Sequence, residues 1–462
     1  MRFTMWTLWA ISFSNLLLVT IARAKIGYFW HITDIHYDVN YSTKGDRMKH
    51  CWRSSSNNAI PSRKPGRYGD YNCDSPWELV ASAARAMRAK HGDNIEFVLW
   101  TGDGISGHAS GRSSDDQVHA LQNLTHLMSH TFPAQFVFPV LGHDDPGSNP
   151  GERLGYKEVG HFWRQWLPTE AIHTFNKGGY YTIEQKEHKI RIIALNTNLY
   201  MGQHHKEDPA LQLSWLESVL TTALARKETV YLVGHMAPGA DERTPDAIPQ
   251  FHEKFSKQYI KLVRRFSNII VGQFFGHLHS DTFRVIYDEM GEKPINWILM
   301  APAVSPKRTS SGANNPGIRL YKFETTTGQV LDYTQYYLDL SSANLRDEPD
   351  WRTEYNLTSY YGLTEVTAKS LHELASTFQE PNSRLFERYY VANAVRMYSS
   401  PKDGMCDTSC AQSHYCAVTR LENSEYRSCL EAAASALSSS AAPSVAMILL
   451  ILFSTAIYVA IT

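Results

Sequence analysis

The chain has 462 residues, of which 43% are hydrophobic and 20% are charged. These are ordinary values for a globular protein, and they exclude disordered and collagen-like classes. The length allows up to about three domains, or one large domain with a smaller one. The 45 basic and 46 acidic residues nearly cancel. We therefore expect no nucleic-acid partner, because phosphate backbones are bound through an excess of cations.

The first 24 residues have the pattern of a secretory signal peptide. Arg2 precedes an apolar stretch, and Ala22-Arg23-Ala24 is a small-x-small cleavage sequence, so we expect the mature chain to begin at Lys25. An N-terminal membrane anchor is the alternative, although the apolar stretch is short for a membrane span. The sequence thus predicts entry into the secretory pathway.

Short apolar runs alternate with amphipathic stretches from residue 25 to residue 338, which predicts an α/β catalytic domain over this range. The predicted strands are 27–32, 95–100, 136–141, 190–195, 230–233, 269–275 and 297–300. Helical periodicity marks 77–90 and 117–130. After residue 338 the pattern becomes helical, at 371–378 and 385–395, and predicts a small C-terminal lobe over 339–431.

Six cysteines suit an oxidising compartment, where they form disulfides. They are Cys51, Cys73, Cys406, Cys410, Cys416 and Cys429. Many pairings are compatible with six cysteines, and proximity in the sequence favours 51–73, 406–410 and 416–429. Zinc knuckles are the rival interpretation, but a secreted chain oxidises its spare thiols.

Three Asn-x-Ser/Thr sequons occur at Asn40, Asn123 and Asn356. In a secreted protein such sequons accept N-linked glycans and lie at the surface. We therefore expect a glycoprotein with these three attachment sites.

The segment 432–462 has the pattern of a GPI-attachment signal. Small residues surround Ser435, a mostly polar spacer follows, and an apolar run over 445–461 is followed by no Lys or Arg. A transmembrane helix is usually followed by basic residues, so a single span is the weaker alternative. We expect the apolar tail to be removed, with Ser435 as the attachment residue. The protein would lie on the extracellular face of the cell membrane or be released as a secreted form.

Residue types that ligate metals follow nearly every predicted strand. The motifs, each directly behind an apolar run, are Asp34-Ile35-His36, Gly102-Asp103, Gly142-His143-Asp144-Asp145, Gly234-His235 and Gly276-His277-Leu278-His279. In open α/β sheets, sites lie beyond the carboxyl ends of the strands, so we expect these loops to converge. A glycine before a ligand lets the backbone turn sharply. One such histidine is more typical of a structural hydrogen bond, but five motifs in chain order indicate a metal centre.

This series of motifs resembles that of the calcineurin-like metallophosphoesterases. The resemblance is closer still to the acid sphingomyelinase-like phosphodiesterases, and it extends over nearly all of residues 25–431. It is carried by 29–36, 70–77, 99–103, 195–200, 272–281 and 312–316. The apolar tail is similar to the membrane-anchored b-type branch rather than the secreted a-type branch, and the C-terminal cysteine spacing resembles the family's two local bridges. The resemblance implies a sandwich of two mixed β-sheets flanked by helices, with a small helical, disulfide-containing C-terminal lobe.

The resemblance also implies two zinc ions per chain. The first would be bound by Asp34, His36, Asp103 and His279, and the second by Asp103, His143, His235 and His277. Imidazole and carboxylate are suitable zinc ligands, and two ions that share Asp103 would promote in-line phosphoryl displacement by water. The implied function is a monomeric, zinc-dependent phosphodiesterase. Its substrates would be phosphodiester or phosphoanhydride bonds in nucleotides, or phosphocholine-type lipids and head groups.

Two departures from the family's pattern bear on catalysis. The family has Gly-Asn-His-Asp where this chain has Gly142-His143-Asp144-Asp145. In an ungapped alignment, His143 replaces the asparagine ligand and Asp144 replaces the histidine that acts as general acid. With a one-residue deletion, His143 is the acid and the asparagine ligand is missing. We adopt the ungapped alignment, since strand and loop lengths then need no adjustment. The loop after Asp103 is one residue longer than in the family, and His108 in it is a candidate second proton donor.

The altered box leaves a hypothesis of a different class. The protein could be a catalytically weakened, GPI-anchored ectodomain that binds lipid or a receptor and modulates membrane signalling. The intact ligands at the other strand ends favour the enzyme, and the altered box favours the binding protein. Among the remaining polar residues, we expect Asn196 and Asn198 to orient the site through hydrogen bonds, and Asp281 to fix the tautomer of a histidine ligand.

Overall fold

The computed structural model describes residues 25–53, 64–108, 114–146, 155–185, 189–202, 208–310 and 312–440. The predicted signal peptide and the apolar run over 445–461 lie outside these residues. In the part of the chain that is described, no helix is both long enough and apolar enough to cross a membrane.

Twelve strands form two six-stranded sheets in the described residues. They are β1 (Ile26–Ile32), β2 (Phe97–Trp100), β3 (Phe136–Pro139), β4 (Tyr181–Gln185), β5 (Ile190–Ala194), β6 (Thr229–Val233), β7 (Ile270–Phe275), β8 (Thr282–Tyr287), β9 (Pro294–Met300), β10 (Gly317–Glu324), β11 (Val330–Leu338) and β12 (Trp351–Asn356). The first sheet has the order β12-β11-β10-β1-β2-β3, and the second has the order β4-β5-β6-β7-β9-β8.

Helices flank the sheets and form the C-terminal lobe. They are α1 (Trp77–His91), α2 (Ser114–Thr131), α3 (Tyr156–Phe162), α4 (Thr169–Gly178), α5 (Gln212–Arg226), α6 (Glu253–Arg265), α7 (Leu340–Arg346), α8 (Leu357–Tyr361), α9 (Ala368–Ser376), α10 (Arg384–Asn393), α11 (Thr408–Thr419) and α12 (Asn423–Ser440). This two-sheet sandwich flanked by helices confirms the predicted fold class.

Both sheets are mixed, with parallel strands in one half of the first sheet and at the centre of the second. β1, β2 and β3 are parallel neighbours, while β10 runs antiparallel to β1. In the second sheet, β5, β6, β7 and β9 are parallel, and β4 and β8 are antiparallel strands at the two edges. The parallel strands are buried on one face by the other sheet and on the other face by helices, which explains why they are continuous apolar runs.

Aromatic side chains fill the space between the two sheets. Phe29 of β1 is fully buried and contacts Tyr231 and Phe274 of the second sheet, at ring-centroid distances of 5.8 and 5.3 Å. It also stacks on Phe97 and Tyr321 of its own sheet, at 4.7 and 4.8 Å. Edge and stacked contacts of this kind add to the hydrophobic burial, so the two sheets are packed as one core.

The first sheet continues beyond residue 338, where the sequence predicts the start of the helical lobe. β12 pairs with β11 as an edge strand. Its Trp351 and Tyr355 are buried while Arg352 and Thr353 are exposed. This strand is short and largely polar, and its few apolar residues do not form a run. The alternation of apolar and polar residues that predicts a strand is therefore weak here. The helical lobe therefore begins at Leu357 in the structure.

The C-terminal lobe packs against β8 and β9 and shares the main core. Phe378 and Tyr389 of the lobe contact Phe283 of β8 at 6.4 and 5.9 Å. The disulfides are Cys51–Cys73, Cys406–Cys410 and Cys416–Cys429, and no cysteine is free. These are the local pairs that the spacing favours, and they leave no thiol for a zinc knuckle.

The predicted modification sites differ in exposure. Asn123 and Asn356 are exposed, whereas Asn40 is half-buried and its amide donates to Asp116 at 3.4 Å. Ser435 is exposed on α12. Glycan and GPI attachment at these residues stay predictions.

A buried ion pair joins the two sheets between β10 and the start of β8, and a hydrogen bond connects this pair to β12. Arg319 of β10 is fully buried and pairs with Asp281, the residue before β8. The guanidinium also donates to Gln335 at 2.8 Å, and the hydroxyl of Tyr355 on β12 donates to Asp281 at 2.5 Å. Asp281 is therefore a structural residue that points at Arg319, and it does not fix a ligand tautomer as the sequence predicts.

We expect Arg319→Met to lower the free energy of unfolding by about 3–5 kcal/mol, because Asp281 is left buried without its counter-charge. The matched control is Arg352→Met on β12, where an exposed guanidinium pairs with Asp350, and this change should have little effect. Denaturant titrations of both variants measure the difference. Equal, small losses would show that the buried pair contributes no more than the surface pair.

Candidate metal centre

All seven predicted ligands lie together at the carboxyl ends of the central strands. They are Asp34 and His36 after β1, Asp103 after β2, His143 after β3, His235 after β6, and His277 and His279 after β7. Backbone hydrogen bonds connect the first two loops, from Asp34 N to Gly102 O at 3.0 Å and from His36 N to Asp103 O at 2.9 Å. The two sheets thus bring ligands from five separate loops to one place.

The Asp103 carboxylate lies between two groups of histidines. It is fully buried. Its Oδ2 lies 2.9 Å from His143 Nδ1, 3.1 Å from His235 Nε2 and 3.7 Å from His36 Nε2. One carboxylate therefore contacts both halves of the centre.

The first half of the centre is formed by Asp34, His36 and His279. The two imidazoles face each other with 3.1 Å between their Nε2 atoms, and Asp34 Oδ1 lies 3.5 Å from His279 Nε2. Asp34 Oδ2 accepts hydrogen bonds from the Thr33 hydroxyl at 2.6 Å and from the His277 N–H at 2.9 Å. These bonds orient Oδ1 towards the histidines.

The second half consists of Asp103, His143, His235 and His277. His235 Nε2 lies 3.3 Å from His143 Nδ1 and 3.2 Å from His277 Nδ1. The other nitrogen of His235 lies 2.8 Å from the carbonyl oxygen of Thr101, which fixes its N–H there and turns Nε2 towards the centre. His143 thus lies within this group of potential ligands. Its role as a ligand rather than as the acid, as the ungapped alignment has it, stays a prediction.

Five of these residues adopt left-handed backbone conformations. The φ angles are +49° at Asp34, +46° at His36, +48° at Asp103, +73° at His277 and +58° at His279. Non-glycine residues rarely adopt this region, and each instance costs on the order of 1 kcal/mol. The conformation points side chains near the strand ends into a common centre, so backbone strain is concentrated where ligands converge.

Glycine beside the ligands provides space more than flexibility. A Cβ on Gly142 would lie 2.1 Å from Asp103 Oδ1, and a Cβ on Gly276 would lie 2.0 Å from the Thr33 hydroxyl oxygen. Neither glycine has a positive φ angle, whereas Gly102 does, at +90°. The sequence predicts sharp turns at all of them, but at Gly142 and Gly276 the requirement is close approach of a neighbouring loop.

The carboxylates and imidazoles perturb one another's pKa values. Burial disfavours the charged form of His36, but the hydrogen bond to Asp144 and the charge of Asp103 raise its pKa to about 10. Burial also disfavours the charged form of His235, but the nearby Asp103 carboxylate raises the pKa of His235 to about 9. In contrast, burial and the nearby His235 hold the pKa of His277 well below its usual value. The charge of Asp103 thus favours the protonated forms of His36 and His235.

Asp144 lies against His36. Its Oδ2 is 3.3 Å from His36 Nδ1, and its backbone N–H donates to Asp103 Oδ1 at 2.9 Å. Burial opposes ionisation of Asp144, but the hydrogen bond from His36 and the charges of His36 and His143 together lower the pKa of Asp144. An ionised carboxylate in this position fixes the His36 tautomer, with Nε2 directed at the first group of ligands, and is poorly suited to donate a proton.

His108 lies beside the centre without contacting the ligands. Its Nε2 is 2.8 Å from the ammonium of Lys307, and its ring packs on His50 at a centroid distance of 3.8 Å. Burial and the charge of Lys307 lower the pKa of His108. His108 therefore lies against Lys307, and its role as a second proton donor stays a prediction.

Asp145 connects two of the ligand loops, a role that the sequence motif does not indicate. It is buried, and its carboxylate accepts backbone N–H groups from Gly104 at 2.8 Å and from Gly142 at 2.8 Å. It thereby connects the loop after β2 to the loop after β3. The sequence signal for this residue is its position at the end of the motif Gly142-His143-Asp144-Asp145.

Asn196 and Asn198 have the orienting role that the sequence predicts. The amide of Asn198 donates to the carbonyl of Gly142 at 2.9 Å, and the amide of Asn196 donates to the carbonyl of Gly178 at 2.9 Å. Both side chains hold backbone rather than a ligand atom. Asn198 therefore supports the loop that begins at Gly142, and Asn196 supports the end of α4.

The centre opens into a cavity of about 330 Å³. His36, His143, Asp144, His277 and His279 form its floor, and the segments 236–251 and 307–310 line its walls. This volume is sufficient for a small phosphate ester, and four of the potential ligands, all histidines, line the cavity.

The residues fit a pair of metal ions. Asp34 Oδ1 and Asp103 Oδ2 are buried and accept no hydrogen bond of good geometry among the described residues. In each half of the centre the ligand atoms lie within 4.8 Å of one another. Ligands at about 2.1 Å from a common ion are roughly 3.4 Å apart, which is close to the distances between the imidazole nitrogens here. Histidine and carboxylate are also the ligand types that zinc and similar ions prefer.

Comparison with known proteins agrees with this geometry. Residues 27–281 match the model of the calcineurin-like phosphoesterase family, and residues 293–436 match that of the acid sphingomyelin phosphodiesterase C-terminal region. The second match includes the last strands of the sandwich as well as the helical lobe.

Three relatives cover most of the chain. Acid sphingomyelinase-like phosphodiesterase 3b of Homo sapiens is 37% identical, over 89% of this chain and 91% of that protein. Cyclic GMP-AMP phosphodiesterase SMPDL3A of Homo sapiens is also 37% identical, over 88% and 90%. Sphingomyelinase phosphodiesterase C of Dictyostelium discoideum is 31% identical, over 92% and 98%. The chain therefore belongs to the acid sphingomyelinase-like phosphodiesterases within the calcineurin-like phosphoesterases, and it is a metal-dependent phosphodiesterase with a dimetal centre.

Proposed function

We propose that the chain is a zinc-dependent phosphodiesterase of the secretory pathway. Its substrates are phosphodiester or phosphoanhydride bonds in nucleotides, or phosphocholine-type lipids and head groups. The observation that carries the proposal is the buried Asp103 carboxylate in contact with histidines from both halves of the centre. The relatives named as sphingomyelinase-like and cyclic GMP-AMP phosphodiesterases support both substrate classes.

The side chains divide the work of binding and proton transfer. When two zinc ions are bound, they lower the pKa of a water molecule and stabilise the attacking and leaving oxygens of an in-line displacement. Asp34, Asp103 and the histidines would hold the ions, and Thr33, Thr101 and Asp144 orient those side chains. With His143 as a metal ligand and Asp144 ionised, neither residue that departs from the family's pattern would donate a proton to the leaving group at neutral pH.

Turnover should therefore depend strongly on the leaving group. A carboxyl group with a pKa below its ordinary value of about 3.9 is ionised at pH 7, whereas an imidazole near 6.5 keeps a protonated fraction. We expect low activity on esters with alkoxide leaving groups and better activity on p-nitrophenyl esters, which need little protonation. Steady-state kinetics on both ester types at pH 7 measure this.

Restoring the family's Gly-Asn-His-Asp sequence at positions 142–145 should raise the low activity on esters with alkoxide leaving groups. We expect His143→Asn with Asp144→His to raise turnover on alkoxide leaving groups by about 10–100-fold, with a smaller change on p-nitrophenyl esters. The control is Asp93→Asn, an exposed substitution that should leave both rates unchanged. If the double variant loses metal and activity on both ester types, the ungapped alignment is wrong and His143 is the acid.

Zinc binding should release protons at pH 7. The pKa values of about 10 for His36 and about 9 for His235 lie above this pH, so the metal-free chain carries both protons and zinc must displace them. Affinity should rise as the pH increases towards these values. Calorimetric titrations in buffers of different ionisation enthalpy count the protons, and no dependence on the buffer would contradict the expectation.

The number of zinc ions bound should depend on Asp103, which both halves of the centre share. We expect two ions per chain in the wild type, a loss from both halves in Asp103→Asn, and a loss mainly from the first half in His279→Ala. Elemental analysis after dialysis against zinc, with Asp93→Asn as the control, gives the count. One ion or none in the wild type after zinc is added back would exclude the two-zinc proposal.

The proposal includes a GPI anchor on the extracellular face of the cell. Its support is the small residues around Ser435 and the apolar run over 445–461. Phosphatidylinositol-specific phospholipase C should release the protein from intact cells, as detected in the medium by immunoblot. Complete retention, with the apolar run found intact by mass spectrometry, would indicate a membrane span instead.

A second candidate function is a weakened ectodomain that binds lipid or a receptor and modulates membrane signalling. The altered box at His143 and Asp144 is the feature that favours it. Zinc-loaded protein assayed on a small panel of phosphodiesters at pH 5 and pH 7 separates the two functions. Full metal content without hydrolysis of any ester would favour the binding protein.

A further inference from the structure

Lys307 lies on the wall of the cavity, on the segment between β9 and β10. Its ammonium donates to Asp74 Oδ2 at 3.1 Å and lies 2.8 Å from His108 Nε2. Asp74 is 1% exposed, and the Ser106 hydroxyl donates to the same oxygen at 2.6 Å. A lysine is ordinarily flexible, but these contacts hold this ammonium in one place.

The ammonium is close to the first half of the metal centre. His108 follows Gly107, whose Cα packs against the Asp144 carboxylate so closely that a Cβ would lie 2.5 Å from it. Asp144 in turn lies 3.3 Å from His36 Nδ1. Lys307 and the ligands of the first half therefore border the same cavity, separated by His108 and Asp144.

The charges around Lys307 leave it able to bind an anion. Its side chain is 26% exposed. The described contacts use two of the three ammonium hydrogens, and Arg308, the next residue, is exposed at the same wall. Among the cavity's carboxylates, Asp144 lies against His36, and Asp241 accepts the Arg243 backbone N–H at 2.9 Å. Among the described residues, Asp74 is the one carboxylate that pairs with Lys307, and Asp74 is buried behind the lysine.

We propose that Lys307 is a specificity-determining residue, which binds a second anionic group of the substrate while the scissile phosphate lies on the metal centre. An ammonium is a strong point charge for phosphate or carboxylate oxygens. A quaternary ammonium in the same place meets a like charge and is disfavoured. Of the two substrate classes proposed above, Lys307 selects those with a further negative charge over phosphocholine esters. This inference rests on the proposed phosphodiesterase activity.

Three p-nitrophenyl phosphodiesters of matched size test the assignment. Their second alcohols are choline, its neutral isostere 3,3-dimethylbutanol, and 3-hydroxypropanoate, and the measured quantity is the ratio of kcat/KM values within the series. The wild type should prefer the anionic ester over the neutral ester by about tenfold and the choline ester least. Lys307→Met should reduce the anionic-to-neutral ratio to about one, and Lys307→Arg should retain it.

The control is Lys369→Met on α9, which is 79% exposed and pairs with Glu373. It should leave the ratio at the wild-type value. Loss of the preference in Lys307→Met alone supports the assignment. An unchanged ratio in Lys307→Met overturns it, since any general damage to the site lowers all three rates together.

Binding of unreactive ligands separates this inference from the proposed activity. Calorimetry with two phosphonate analogues, one carrying a carboxylate and one carrying a methyl group in its place, measures the same preference without turnover. If no ester is hydrolysed by metal-loaded protein, the proposed activity is wrong. The carboxylate analogue must still bind about tenfold more tightly to the wild type than to Lys307→Met, and equal binding overturns the role of Lys307.

Discussion

The structure depends on one buried carboxylate that is shared by two groups of histidines. Asp103 stands at the end of β2, and its Oδ2 contacts His143 and His235 on one side and His36 on the other. A buried carboxylate without a counter-charge is costly, so the surrounding imidazoles must carry protons or metal ions must replace those protons. The raised pKa values of His36 and His235 are the protein's response in the metal-free state. Metal binding and proton release are thus two aspects of the same electrostatic constraint.

The rest of the fold supports this constraint at a local cost. Five ligands adopt positive φ angles, and two glycines permit loops to approach within distances that a Cβ would block. Strain of this kind persists only when the surrounding structure determines the conformation. Here the aromatic core between the sheets fixes the strand ends, and backbone bonds such as His36 N to Asp103 O fix the loops beyond them. The surrounding structure therefore holds the ligand side chains in place, which favours preorganised binding of phosphate.

Sequence reasoning predicts the central strands and their ligands because both signals are local. An apolar run such as Phe97–Trp100 followed by Gly102-Asp103 is complete within a few residues. It fails for β12, whose short polar pattern resembles a loop, and for Asp281, whose partner Arg319 is distant in the sequence. It also cannot pair Lys307 with His108, which lie 199 positions apart. Periodicity and motif spacing do not encode such long-range contacts.

Diffraction from crystals soaked with zinc tests the central claim most directly. Anomalous difference maps at the zinc absorption edge should contain two peaks, one on each side of the Asp103 carboxylate, with His143 Nδ1 within about 2.2 Å of the second. A single peak, or two peaks with His143 turned away from both, would contradict the shared-carboxylate centre and the ligand role of His143.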